Sequence, residues 1–247
     1  RHHPLLEVRE VAEATEDALL EMYPSSFSRK RYEGTEEYNK MIVRELTYHN
    51  NPEVAQVEFE VQSELIDHNL LNLYREAMEK RPAKTELPKK IKECGTMRFG
   101  FLLDFGSFRD IQRHRAVVQQ MPLLTTNYGF HPWYMEELGN ELCHRMQKFI
   151  AEQAQRINSL PTTPEIKQYY TAMGFNTTNQ VTGDLHALVY LVELRGTRFV
   201  HPTLRERALQ IACELEKRFG KNGLVLHMDP EPNRFDVRRG SHDLKIK

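Results

Sequence analysis

Two short apolar segments set among long helical stretches constrain the fold of this chain more than any other feature of its sequence. Residues 97–103 combine alternating apolar positions with a compact apolar run, which predicts a strand limited by Gly106. Residues 175–181 show weaker strand character. Because helical periodicity dominates elsewhere, we expect an α+β fold with a small, mostly antiparallel sheet flanked by long helices.

Apolar residues recur at helical spacing over most of the remaining chain. The pattern predicts helices over residues 5–22, 53–80, 108–119, 135–158, 164–173, 185–195 and 202–219. Asp184 is suited to cap one of these helices, because an aspartate side chain accepts hydrogen bonds from free N–H groups at a helix start. Gly196 is suited to end the same helix.

The composition predicts a single domain with no general attraction for polyanions. The 247 residues are 40% hydrophobic and carry 34 basic and 35 acidic side chains, which is compatible with one domain over residues 1–247. We divide it into a helical amino-terminal part (1–92), a motif-bearing part (93–220) and a tail (221–247). A formal net charge of -1 disfavours a nucleic-acid partner.

Cysteine usage and hydropathy give further expectations. The three cysteines form no CxxC pair, and the histidines show no HExxH motif, so we expect neither a disulfide framework nor a metal site. No apolar run approaches the roughly 20 residues that a membrane span needs. We therefore expect a cytoplasmic protein without a membrane partner. Because the chain begins at Arg1 rather than Met, we also expect that it belongs to a longer protein.

Three nitrogen-rich side chains, Arg113, His114 and Arg115, stand on consecutive residues shortly after the first predicted strand. Two guanidiniums and an imidazole repel one another, so the folded state favours them together mainly where an anion or a carboxylate shares the site. A solvated basic turn is the alternative, because charge runs are usually exposed.

Two segments of the chain resemble the flavin-dependent thymidylate synthases. The run from Phe108 and Arg109 to the basic triplet is similar to the signature region of that family, where Arg-His-Arg follows a strand and precedes a loop. The run from Asp184-Leu185-His186 to Leu194-Arg195 resembles a later helix of the family. The resemblance covers roughly residues 93–205 and implies the α+β fold of that family.

The resemblance also implies an activity. An enzyme of this type binds FAD, takes hydride from NADPH and transfers a one-carbon unit from methylenetetrahydrofolate to a deoxyuridylate-type nucleotide. The family forms its active sites at subunit contacts of a homotetramer, which implies a homo-oligomer here. By resemblance the cofactor-binding residues are Arg113, His114, Arg115, Asp184 and His186.

The same resemblance implies substrate contacts. Arg195 matches the arginine that faces the pyrimidine, where a fixed cation favours negative charge developing on the ring, and it is the candidate catalytic residue. The other candidate substrate-binding residues are Arg109, Gln120 and Arg205. For Asp184 the alternative is a plain helix cap, and for His186 it is an exposed helix histidine.

Four positions after the triplet depart from the family signature. The family has Ser, Asn, Ser and Arg where this chain has Val118, Gln120, Leu123 and Thr125. A valine or leucine side chain cannot donate to a phosphate, and each lost charge-assisted bond costs about 1.5–3 kcal/mol. The alternative function is therefore a non-catalytic or regulatory lobe of a longer protein that has lost nucleotide-phosphate binding.

Overall fold

A computed structural model describes residues 1–3, 5–28, 32–46, 58–119 and 123–231 of the chain. Among these residues, no helix combines the length and the apolar character that a membrane crossing requires.

A three-stranded antiparallel sheet lies at the centre of the fold. Its strands are β1 (Phe59–Ile66), β2 (Gly95–Asp104) and β3 (Asn176–Asp184), in the spatial order β1-β2-β3. The predicted α+β class, with a small antiparallel sheet and helices, is confirmed. Alternate side chains of β2 are fully buried on one face: Met97, Phe99, Phe101 and Leu103.

The start of β2 requires glycine. Gly95 has a φ of 119°, and a Cβ atom there would lie 1.8 Å from the carbonyl oxygen of Leu65 in β1. Only glycine adopts this backbone conformation without strain and permits such a close approach. The pairing of β1 with β2 therefore depends on this position.

Helices surround the sheet and provide the rest of the core. Leu188, Ile211, Leu215 and Phe219 are fully buried in the same apolar cluster as the inward face of β2. The α-helices are α1 (Leu6–Met22), α2 (Pro24–Phe27), α3 (Glu33–Leu46), α4 (His68–Asn72), α5 (Arg75–Glu79), α6 (Phe105–Ile111), α7 (Trp133–Glu136), α8 (Asn140–Ser159), α9 (Pro164–Lys167), α10 (Leu185–Arg195) and α11 (Pro202–Phe219).

The helix predicted over residues 53–80 is wrong. Residues 59–66 form β1, and α4 and α5 follow as two short helices, while residues 53–57 lie outside the described part. Apolar residues at 57, 61 and 65 fit a helix by spacing, but β1 forms a ladder with β2, with a bulge between Val61 and Ser63. Tertiary pairing overrides the local pattern here.

Three other predicted helices differ in extent, and that over residues 164–173 is reduced to α9, which ends at Lys167. The helix predicted over residues 108–119 starts earlier, at Phe105, and ends at Ile111, so the basic triplet follows the helix instead of lying on it. The helix predicted over 135–158 is divided into α7 and α8. The predictions of α10 and α11 agree with the structure.

Candidate functional site

The basic triplet lies in a turn held at both ends. Upstream, the side chain of Asp104 caps α6 by accepting a hydrogen bond from the Ser107 N–H at 3.0 Å. Downstream, Val118 exchanges two backbone hydrogen bonds with Thr182 of β3, at 2.7 and 3.0 Å. The triplet is therefore anchored to the end of β2 and to the edge of β3.

His114 and Arg195 meet inside this turn although 81 residues separate them in the chain. The Nε of Arg195 donates to Nε2 of His114 at 2.8 Å, and its Nη2 donates to the carbonyl oxygen of Asp110 at 2.8 Å. That carbonyl belongs to the last turn of α6, where carbonyl groups lack helical partners. One guanidinium thus joins the end of α10 to the end of α6 and to the triplet.

The contact with Arg195 determines the chemical state of His114. An arginine Nε–H can only donate, so Nε2 of His114 accepts and the ring proton resides on Nδ1. Burial of the ring, together with the positive charge of Arg195, lowers the pKa of His114 to about 4. His114 is therefore neutral near pH 7, which removes one of the three charges that the sequence suggested.

The triplet and Arg195 line a cavity of about 310 Å³. Arg113 and Arg115 are exposed there, and in the described ranges no ion pair joins either guanidinium to an acidic side chain. Guanidinium groups in this state are suited to bind an anion such as a phosphate. The other lining residues are His114, Ala116, Ala187, Tyr190, Leu194 and Arg195.

Replacing His114 with glutamine will reduce the acid sensitivity of the fold. Folding lowers the pKa of His114 from 6.5 to about 4. As the pH falls from 6.5 toward 4, the unfolded chain takes up a proton that the folded chain does not, so the free energy of unfolding decreases. The loss over this range is on the order of 3 kcal/mol. Urea unfolding at a series of pH values measures it.

Glutamine does not titrate but can accept from Arg195, so His114→Gln will show a shallower decline between these pH values. Part of the decline will remain in the variant, because burial also lowers the pKa of His131. An acid dependence identical to that of the wild type would contradict the assignment.

A larger cavity of about 630 Å³ lies on the other side of Tyr190. Tyr190 and Leu194 line both cavities. His186 lines the larger one, and its side chain is only 11% exposed. Neither ring nitrogen of His186 has a hydrogen-bond partner in the described structure, although a Glu86 carboxylate oxygen lies 3.5 Å from Nε2. His186 is thus a nearly buried polar group inside a cavity and not an exposed helix histidine.

An ion pair with a buried arginine lines the larger cavity. The Arg81 side chain is 2% exposed and pairs with Glu193 of α10 through two hydrogen bonds. Arg81 also donates to the carbonyl oxygens of Thr85 at 2.7 Å and Val225 at 2.8 Å. The backbone N–H of His227 donates to Glu193 at 2.8 Å. The pair therefore joins α10 to the segment after α11.

That segment, residues 224–231, closes the cavity and is held by two further arginines. Arg198 makes a two-pronged contact with the carboxylate of Asp229, at 2.9 and 2.8 Å. Arg205 donates to the carbonyl oxygens of Asp229 and Glu231. The hydrogen bonds from Arg198 lower the pKa of Asp229 to about 2.

Of the remaining predicted site residues, none that the structure describes lines either cavity. The side chain of Asp184 caps α10 by accepting from the Ala187 N–H at 2.8 Å, as the helix-cap interpretation predicts. The Arg109 guanidinium contacts the Met173 sulfur at 3.8 Å and does not line either cavity. Arg205 binds backbone carbonyls, as described above. Gln120 lies outside the described residues.

Sequence reasoning missed two features of this region. Tyr190 separates the two cavities, and its ring centroid lies 6.0 Å from that of His114. A helical projection would have placed it on the same side of α10 as Ala187 and Leu194. The second feature is the buried Asp104 carboxylate, which accepts from Thr203 and from the Tyr134 hydroxyl. No local sequence pattern predicts that long-range contact.

No protein-family model matches the chain. A UPF0159 protein of Chlamydia muridarum is 29% identical over 150 residues, which are 60% of this chain and 28% of that relative. A UPF0159 protein of Chlamydia pneumoniae is 32% identical over 130 residues, 51% of this chain and 24% of the relative. One of Thermoplasma acidophilum is 30% identical over 122 residues, 48% of this chain and 24% of the relative. The matched segments thus span about a quarter of the length of each of these relatives.

Proposed function

We propose that the chain binds a flavin nucleotide at the cavity formed by the triplet and Arg195. The observation that carries the proposal is the hydrogen bond between Arg195 and His114, which brings together the two segments that resemble the flavin-dependent thymidylate synthases. Arg113 and Arg115 supply the charges that bind the cofactor phosphates.

The described residues fit a flavin in three respects. His114 is neutral, so it does not add to the repulsion between the arginines and offers Nδ1–H as a donor. Tyr190 presents an aromatic ring between two cavities, where a flat ring system can stack. His186 has two buried nitrogens without hydrogen-bond partners, and a polar ligand in the larger cavity satisfies them.

Fewer observations support a nucleotide substrate than support the flavin. Val118 is 70% exposed and forms hydrogen bonds with β3 through its backbone N–H and carbonyl, while Leu123 and Thr125 do not line the triplet cavity. Arg195 is the group suited to polarise a pyrimidine carbonyl. We extend the proposal to reductive methylation of a deoxyuridylate-type nucleotide with methylenetetrahydrofolate and NADPH.

In this proposal FAD supplies the hydride chemistry, and the chain binds and orients the reactants. Arg195 is fixed by His114 and Asp110, so its guanidinium presents a stationary charge to the substrate. Preorganised charges of this kind favour a developing negative charge without reorganisation during the reaction.

Flavin titration tests the proposal. The purified chain will quench FAD fluorescence, and Arg113→Ala and Arg115→Ala will each weaken binding about tenfold to hundredfold, since each removes a charge-assisted contact of about 1.5–3 kcal/mol. Lys217→Ala is the control, because it removes one positive charge from a side chain that is 71% exposed on α11. The proposal is contradicted if the wild-type chain neither quenches FAD fluorescence nor acquires a flavin spectrum.

A second candidate function is a non-catalytic or regulatory lobe of a longer protein. It is supported by the size of the relatives, since a 150-residue match that is 28% of the Chlamydia muridarum protein makes that protein about twice as long as this chain. Tritium release from labelled deoxyuridylate distinguishes the candidates. Flavin binding without tritium release supports the lobe, whereas release that depends on Arg195 supports the enzyme.

A further inference from the structure

Helix α8 carries an apolar stripe that the described part of the chain leaves open to solvent. Leu142, Met146 and Phe149 are 53%, 37% and 55% exposed. Of all the residues of this 20-residue helix, only Ile157 is buried. An exposed stripe of large apolar side chains on one side of a long helix is typical of an interaction surface.

The spacing of the stripe is that of a coiled-coil seam. Leu142, Met146, Phe149 and Gln153 follow one another at intervals of four, three and four residues, which places them on one side of the helix at alternating core positions. The helix is fixed to its own chain on a neighbouring side, through Ile157 and through a hydrogen bond between the Thr126 hydroxyl and the Asn158 side chain at 3.2 Å. Among the described residues nothing covers the seam, so it can pair with another helix.

We propose that the seam of α8 pairs antiparallel with α8 of a second copy of this chain, around a two-fold axis. In this register Met146 packs against Phe149 of the second copy, and Leu142 packs against its Gln153. Because the axis is two-fold, each contact occurs twice. The exposed apolar surface of both helices is then covered by the same interface.

Charge complementarity favours a second copy of this chain as the partner, with its α8 antiparallel to the first. Arg145 and Glu152 flank the seam on one side, and both line the shallow groove beside Phe149. In the antiparallel register Arg145 lies beside Glu152 of the second copy, which gives two symmetric ion pairs. A parallel register would set Arg145 near Ile150 of the second copy and leave both charges unpaired. No ion pair within the described residues occupies either side chain.

Sedimentation velocity over a concentration series of the whole chain tests this pairing. We expect a reversible dimer, and Phe149→Glu will raise its dissociation constant at least about tenfold because it places a charge in the seam. Gln155→Glu is the matched control, since it introduces the same charge at an exposed position on the opposite side of α8. Thermal unfolding checks that both variants are folded.

A charge-swap series tests the register. Arg145→Glu alone and Glu152→Arg alone will each weaken the dimer a few-fold, since each creates like-charged neighbours. The double variant Arg145→Glu/Glu152→Arg will restore it. A wild-type chain that stays monomeric throughout the series, or a dimer that Phe149→Glu leaves unchanged, overturns the proposal. The test does not involve flavin, so its outcome is independent of the proposed cofactor site.

Discussion

Arg195→Ala will lower the affinity for FAD about tenfold to hundredfold and, if the chain is an enzyme, will abolish tritium release. The guanidinium contributes charge to the triplet cavity and also holds His114 and the end of α6 in place. Its loss removes one charge-assisted contact of about 1.5–3 kcal/mol. Fluorescence titration with FAD and the tritium assay measure the two effects.

Arg195→Lys separates the effect of the positive charge from the effect of the planar guanidinium geometry. Lysine keeps the positive charge but cannot make the planar, two-point contact with His114 and Asp110, so we expect an intermediate affinity. NMR titration of His114 gives a second readout. In Arg195→Ala the pKa of His114 will rise, because a neighbouring cation that lowers it is gone. Wild-type FAD affinity in Arg195→Ala would exclude a role for this residue in the cavity.

Glu193→Ala will destabilise the fold by about 3–5 kcal/mol, because it leaves a buried guanidinium without its carboxylate. The partner Arg81 is 2% exposed at its side chain, and Glu193 also accepts from the His227 N–H. Urea unfolding monitored by circular dichroism measures the free energy of unfolding. A loss below about 1 kcal/mol would show that the pair is hydrated in solution.

Two further variants test whether the loss of stability in Glu193→Ala comes from the unpaired buried charge. The double variant Arg81→Met/Glu193→Met removes both charges at similar volume, so we expect a smaller loss than for Glu193→Ala alone. Glu76→Ala is the control for an ordinary surface pair, since Glu76 and its partner Lys80 are 79% and 75% exposed. Its effect will be within about 0.5 kcal/mol.

The sequence allowed the fold to be predicted where local pattern and tertiary environment agree. β2 combines alternation with buried side chains, and α10 combines a cap at Asp184 with an apolar sequence, so both were predicted close to their observed positions. β1 was predicted as a helix because its apolar spacing fits both structures. What decides between them is a partner strand whose paired residues lie 29 to 42 positions later in the chain, which no local window contains.

The sequence indicates some residues of the candidate site but not their arrangement. Family resemblance selected the triplet and Arg195, and the structure brings His114 and Arg195 into contact. The neutral state of His114 depends on burial and on a cation 81 residues away, neither of which the sequence shows. Arg205 has the same residue type as Arg195, but it binds the backbone of the closing segment.

The two cavities will respond differently to acid, although they share the Tyr190 wall. Acid near pH 4 charges His114 in the folded chain and adds a fourth cation to Arg113, Arg115 and Arg195 in the smaller cavity. Asp229 keeps its charge down to a pH of about 2, so its contact with Arg198 continues to hold the segment that closes the larger cavity. A pH near 4 thus removes the ring nitrogen that accepts from Arg195 and changes the charge of the smaller cavity, while the larger cavity keeps its wall.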